Sequence, residues 1–199
     1  MRYPVVEIFE SIQGEGLQTG RLATFVRFGG CNLRCPWCDT PEALDIDGSR
    51  PMALEELVAA TIEISSGRYI VLTGGEPGLQ ELPPLIDRLH CAGFKVGIET
   101  NGTQVLPSTL DWVTVSPKPP VYRMVPETVA MASELKLVVD DHLELNTVRR
   151  LWSACGQAPP LILQPEGCRA EMEEKIMAWL KLEPSWRLGV QLHKMLGLK

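Results

Sequence analysis

Short apolar runs alternate with longer stretches of helical periodicity along most of this chain. "ATFVRFGG" is β-branched and aromatic and ends on glycines, whereas "ALEELVAATIEIS" (53–65) sets Leu54, Leu57, Val58 and Ile62 near a helical repeat. "YIVLTGG" (69–75) again reads as a buried strand, and "LPPLIDRLHCAG" as a helix with prolines in its first turn and Gly93 near its end. The alternation continues through strands "FKVGIET", "WVTVS" and "LKLVVD", helix "LELNTVRRLWSAC", strand "PLILQP", helix "AEMEEKIMAWLKL" and strand "WRLGVQL". Such alternation predicts a mostly parallel sheet, because each parallel crossover takes roughly a dozen residues. About six strand-helix units are too few for a closed eight-fold barrel of ~250 residues. The expected fold class is therefore α/β, a partial, open β/α barrel, as a single domain over residues 1–199.

Ligands of such sheets bind at the carboxyl ends of the strands. There the apolar pattern breaks into "GGCNLRCPWCDT" (29–40), "TGGEP" (73–77), "ETNGT" (99–103), "SPKPP" (116–120) and "QPEG" (164–167). Each alone reads as a turn. Converging on one mouth, they read as a single site.

Composition narrows what that site serves. A net charge of -6 lacks the basic footprint of a protein that follows a phosphate backbone, so nucleic acid is not an expected partner. No run approaches the ~18 apolar residues of a membrane span, and the N-terminus carries acids where a signal peptide carries an apolar run, so no membrane is expected and the expected location is cytoplasmic. In that compartment clustered cysteines point to metal binding or catalysis before disulfides. Three of the six cysteines, Cys31, Cys35 and Cys38, stand within eight positions. Zinc sites and ordinary electron-transfer clusters take four protein ligands, so three thiolates leave one coordination position open. Either a ligand from outside fills it, or a remaining cysteine completes a redox or zinc module. Cys91 and Cys155, toward the ends of predicted helices, read as small buried residues; Cys168 falls closer to the mouth. Arg27, charged on an otherwise apolar strand, calls for an anion.

The spacing Cys31-x3-Cys35-x2-Cys38, with Trp37 before the last cysteine and Gly74-Gly75-Glu76-Pro77 one strand-helix unit later, resembles the radical S-adenosylmethionine superfamily. In that superfamily three thiolates hold a 4Fe-4S cluster and S-adenosylmethionine occupies the open iron. Further, "ESIQGEGLQTG" (10–20), "TFVRFGGCNLRCPWCDT" (24–40), "TGGEP", "ETNGT", "VSPKP" and "QLHKMLGL" resemble the 7-carboxy-7-deazaguanine synthase family essentially end to end, with a departure at Leu192, where a smaller residue is usual. The resemblance implies a lyase that contracts the ring of 6-carboxytetrahydropterin with loss of ammonia, on the route to queuosine and other 7-deazapurines. It begins with hydrogen abstraction from C6 by an adenosyl radical. It further implies a homodimer and a flavodoxin-type electron donor.

Carried onto this chain, the resemblance places Trp37, Cys38, Asp39, Gly75, Glu76, Ser116, Pro117 and Lys118 at S-adenosylmethionine, with the Ser116 hydroxyl and the Lys118 ammonium suited to its carboxylate. Glu99, Asn101 and Gln164 are weaker candidates for its ribose or adenine. Thr40 matches a magnesium ligand, with Asp39 as the rival; magnesium takes few protein ligands and draws the rest from substrate and water. Ile12, Gln13, Gly14, Glu15, Arg27, Thr73, Gln191, His193 and the terminal carboxylate of Lys199 are assigned to the pterin. Arg27 would meet its carboxylate as a planar fork. A glycyl-radical-enzyme activase shares the three-cysteine motif and is the alternative within the superfamily.

Overall fold

The computed structural model describes residues 1–198; Lys199, expected at the pocket, lies outside the described residues. In chain order the elements are β1 (Arg2–Ile12), β2 (Leu22–Phe28), β3 (Arg50–Ala53), α1 (Leu54–Ile64), β4 (Tyr69–Gly74), α2 (Leu82–Cys91), β5 (Lys95–Thr100), β6 (Trp112–Val115), α3 (Pro126–Ala130), β7 (Glu134–Val139), α4 (Leu145–Ser153), β8 (Leu161–Pro165), α5 (Ala170–Leu182), β9 (Arg187–Leu188) and α6 (Leu192–Leu196). The strands form one nine-stranded open sheet in the order β3-β1-β2-β4-β5-β6-β7-β8-β9. From β2 onward every pairing is parallel, as the strand-helix alternation predicts, while β1 runs antiparallel to both β2 and β3.

The periodicity did not disclose β1 or β3. Pro4 and the acids Glu7 and Glu10 interrupt the apolar signal of "RYPVVEIFESI", yet each acid has a partner in the folded chain. Glu7 accepts from Arg27 Nε at 2.8 Å, and Glu10 from the backbone N–H groups of Ser66 and Gly67 at 2.5 and 3.2 Å. A register shift between Val5 and Glu7 absorbs the mismatch with β2. At the other end "WRLGVQL" contracts to the two-residue β9. Gly189 bonds back to Leu163 O at 2.7 Å, and the chain then turns into α6. No helix separates β5 from β6.

Period-two alternation along the parallel strands assigns the two sheet faces to different tasks. Val26, Phe28, Ile70, Leu72, Val96, Ile98, Val113, Val115, Leu135, Leu137, Leu161 and Leu163 join the main core with the helices. Leu72, Leu85, Ile86 and Leu135 there are fully buried, each stabilising the fold by about 1.5–3 kcal/mol. The alternate positions face inward. Near the strand starts they form a small second cluster of Phe9, Ala23, Phe25, Tyr69 and Val71, with Phe9 and Phe25 stacked at 5.0 Å. Toward the carboxyl ends they become Arg27, Thr73, Glu99, Lys136 and Gln164, all lining one cavity.

Candidate active site

The loop that follows β2 carries the cysteines. Gly30 N and Cys31 N donate to Ala43 O and Leu44 O, both at 2.9 Å, and Cys38 N donates to Cys35 O at 3.2 Å, which closes a tight loop over the strand end. The end of β4 locks underneath it. Gly75 N bonds Phe28 O and Glu76 N bonds Gly30 O, both at 2.9 Å. A Cβ on Gly75 would sit 2.2 Å from Gly30 O and 2.5 Å from Ala43 O, so glycine is required here by the close approach of two backbones.

All three clustered cysteines are partly exposed and face a cavity of about 420 Å³. Burial pushes the Cys31 and Cys35 thiols up, and the neighbouring thiols of the trio raise them further. Three soft donors that disfavour one another's ionisation suit a cationic centre that takes them as thiolates. Among the described residues no three or more His, Cys, Asp or Glu side chains gather as a ligand set for one metal ion. Cys31, Cys35 and Cys38 are the soft donors that would hold an iron–sulfur cluster. Cys168, the fourth ligand that a zinc module would need, is exposed and outside the cavity lining, and its thiol donates to Gln191 Oε1 at 3.5 Å. Cys155 is buried as expected. Cys91 is exposed, because the buried stripe of α2 runs Leu82, Leu85, Ile86, Leu89 and passes it by.

The cavity also gathers most of the other expected residues: Ile12, Gln13, Gly14, Glu15, Arg27, Trp37, Asp39, Thr40, Thr73, Gly75, Glu99, Asn101, Ser116, Lys118, Gln164, Gln191 and His193. Two of the expected residues lie outside the cavity lining. Pro117 does not line the cavity, since its neighbours Ser116 and Lys118 point in. The Glu76 carboxylate turns away into the protein, drawn by Gly78 N at 2.8 Å, Thr100 Oγ1 at 2.7 Å and Asn101 N at 2.7 Å. It ties the end of β4 to the end of β5.

On the cysteine side, Lys118 Nζ donates to Ser116 Oγ at 2.5 Å and stands 5.5 Å from the Trp37 ring centre. Burial, followed by repulsion from Lys136, holds its pKa below the ordinary lysine value. An ammonium with a hydroxyl and a ring face for company is a ready place for an anion. Trp37 is held by its Nε1–H bond to Asp140 Oδ2 at 3.0 Å. Asn101 bonds Asn32 at 2.9 Å and so joins the loop after β5 to the cysteine loop.

Deeper in, the charges are paired. Arg27 has its anion in Glu7 across β1 and β2, and its other end reaches Thr40 Oγ1 at 3.4 Å; that hydroxyl in turn donates to Asp39 Oδ1 at 3.3 Å. Lys136, on the inner face of β7, pairs with Glu15 and lies 4.0 Å from Glu99. Glu15 also accepts from Gln191 Nε2 at 2.7 Å, and Glu99 from Gln13 Nε2 at 2.9 Å. The C-terminal segment closes this wall: Leu192 N bonds Gly14 O at 2.9 Å, and Lys194 reaches Gln191 Oε1 at 2.9 Å and Asp39 Oδ2 at 3.5 Å. Lys136, Lys194, Phe9 and Phe25 were absent from the sequence reading. In "LKLVVD" the signal for Lys136 was a charge at one phase of an otherwise apolar alternation.

The comparisons agree with this layout. The model of the radical SAM superfamily matches residues 25–118, which run from β2 and the cysteine loop to Lys118. The 7-carboxy-7-deazaguanine synthase of Synechocystis sp. is 35% identical, with 99% of this chain and 94% of that protein covered. That of Nitratidesulfovibrio vulgaris is 38% identical over the full length of both. The crystal structure of QueE from Escherichia coli superposes with a TM-score of 0.82 at 29% identity, covering 97% of this chain and 95% of that one. A cysteine loop, a paired cation floor and a closing C-terminal segment thus lie in a chain that belongs, end to end, to the 7-carboxy-7-deazaguanine synthase family of radical S-adenosylmethionine enzymes.

Proposed function

We propose that this chain converts 6-carboxy-5,6,7,8-tetrahydropterin to 7-carboxy-7-deazaguanine with loss of ammonia, a step toward queuosine and other 7-deazapurines. The observation that carries the reading is the polarity of one cavity. Three thiols and the Lys118 ammonium line one part of it, and carboxylates beside Lys136 line another, so a redox cofactor and a flat heterocycle would lie side by side. Cys31, Cys35 and Cys38 would hold the 4Fe-4S cluster. Trp37, Ser116, Lys118, Gly75 and Gln164 would hold S-adenosylmethionine, with Lys118 and Ser116 on its carboxylate. When bound, these groups supply one-electron reduction and hydrogen abstraction, and the protein supplies position and exclusion of water.

Arg27 keeps its Nε on Glu7 and would turn the outer edge of its guanidinium, now 3.4 Å from Thr40 Oγ1, to the substrate carboxylate. Thr40, beside Asp39, would contribute to a magnesium ion completed by substrate oxygen and water, in keeping with the sparse protein ligands magnesium accepts. Gln13, Glu15, Thr73, Glu99, Gln191 and His193 enclose the ring system. The bond from Leu192 N to Gly14 O supports a small-molecule pocket over an activase, which must admit a protein segment. The family resemblance supports a homodimer, a flavodoxin-type electron donor and a cytoplasmic location.

The test is anaerobic turnover. With reconstituted cluster, reductant, magnesium and substoichiometric S-adenosylmethionine, 7-carboxy-7-deazaguanine is expected by mass spectrometry over many turnovers per adenosyl group. Cleavage of the adenosyl group with the pterin untouched would sink the substrate assignment and favour the activase.

A further inference from the structure

Lys136 is assigned to no ligand by sequence reading, yet it is the most enclosed charge of the cavity. Its side chain is 7% exposed, against 13% for Glu15 and 24% for Glu99. It stands on β7, whose alternate residues Leu135, Leu137 and Val139 belong to the core, and reaches across the sheet to a carboxylate of the "QGEG" loop. Around the pair stand Glu99 from β5, Glu134 from β7, Lys118 beyond β6, and His193 and Lys194 from α6. Gln191 donates to Glu15, and Gln13 and the Thr73 hydroxyl donate to Glu99, which leaves further lone pairs on both carboxylates.

We propose that Lys136 is a positioning residue for substrate recognition: paired to Glu15 and 4.0 Å from Glu99, its ammonium holds the two carboxylate groups aimed at the 2-amino, N3–H edge of the bound heterocycle. The inference rests on the function proposed above. Two carboxylates brought into one low-dielectric floor repel, and one of them takes a proton unless a cation stands between them. Protonated, the acid would present an O–H to the N–H edge of the ligand. Lys136 prevents this. Burial alone would raise the Glu15 carboxyl, but the ammonium outweighs burial and brings it down to about 2. Burial would lower Lys136, and Glu15 and Glu99 together raise it above the ordinary lysine value instead. It is therefore a fixed charge, unsuited to delivering a proton at neutral pH.

The sign of the pH effect follows. In the parent protein Glu15 is ionised throughout the neutral range, so this carboxylate gives KM for the pterin no acidic limb above about pH 5. In Lys136→Met only the Gln191 hydrogen bond and His193 still oppose burial at Glu15, and its pKa rises from the parent's value. KM then climbs as pH falls and recovers as pH rises.

The experiment compares the parent, Lys136→Met and Lys136→Arg, each with cluster reconstituted, for kcat and KM from pH 5.5 to 9 and for S-adenosylmethionine affinity. Lys136→Met is expected to raise KM about tenfold to a hundredfold at pH 7, less at pH 9, with S-adenosylmethionine affinity within about threefold and Lys136→Arg partly restored. An unchanged KM, or one raised equally at every pH, overturns the inference. A second measurement needs no variant. The parent protein should bind 7-carboxy-7-deazaguanine about a hundredfold more tightly than its 2-oxo analogue, because a carbonyl facing two carboxylates finds no donor; equal binding overturns the inference even where Lys136→Met does not fold. A parent protein that leaves the pterin unconverted overturns the proposed function and this inference with it, whereas conversion with a flat Lys136→Met response removes this inference alone.

Discussion

At the scale of single residues, charges on apolar strands carry most of the functional information here, and they do so unequally. Arg27 stood out in "ATFVRFGG" because it was alone, and the structure gives it the anion it needed in Glu7, on a strand the periodicity did not reveal. Lys136 sits in the same kind of surroundings in "LKLVVD", but its partner Glu15 lies 121 positions away, and no local pattern records such a pairing. Glu76 is the converse. Its motif was legible, but the direction of its carboxylate is set by Thr100 and by the N–H groups of Gly78 and Asn101, which the motif does not contain. For Arg27 the geometry makes a sharp forecast. Lysine cannot keep Glu7 and a ligand carboxylate at once, because it lacks the planar fork. Arg27→Lys should raise KM for 6-carboxytetrahydropterin about tenfold to a hundredfold, the loss of a charge-assisted bond, while a pterin lacking the 6-carboxylate binds parent and variant alike in calorimetry. Equal losses for both ligands would place Arg27 in the scaffold only.

At the scale of elements, alternation of strand and helix was enough to read the parallel half of the sheet, because each of those strands is a short apolar run bounded by turn residues. What it missed, β1, β3, the shortness of β9 and α3, are elements whose residues are held by partners remote in sequence. Arg2 to Val5 pair with Ala53 to Arg50, and Gly189 is held by Leu163. The strand ends are cross-tied as well, and the Glu76 carboxylate is the strongest of these ties. Replacing it with alanine strands a buried hydroxyl and two N–H groups between β4 and β5. Glu76→Ala should cost roughly 3 kcal/mol, a fall of about 6–12 °C in the melting temperature for a chain of this size, with Glu76→Gln losing less than half as much. A ligand-contact role would show the reverse: normal melting and weakened S-adenosylmethionine binding in titration of the cluster-loaded protein.

For the molecule as a whole, stability and function divide between the two faces of one sheet. The helix-covered face holds the large core, so the inner face can spend its alternate positions on arginine, glutamate, lysine and glutamine and still fold. The C-terminal segment belongs to the functional side. Helix α6 buries no residue, and Met195 and Leu196 are exposed, so it adds little to the core. Gln191, just before the helix, is buried against Glu15, however, and His193 fills the space beside Gly14, where even a Cβ would fall 2.1 Å from Nδ1. Removing residues 191–199 should therefore lower the melting temperature by only a few degrees, since among the described residues of the segment only Gln191 is buried and its hydrogen bond is worth about 1 kcal/mol. The same deletion takes away one wall of the pocket and a hydrogen bond to a carboxylate in its floor. Binding of 7-carboxy-7-deazaguanine should fall at least about a hundredfold by calorimetry, while S-adenosylmethionine, proposed to bind at Lys118 and Ser116 beside the cysteine loop, should bind within a few-fold of the full chain. If instead the shortened protein unfolds, or loses both ligands together, the segment is part of the scaffold and the division between the two faces does not extend to the C-terminus.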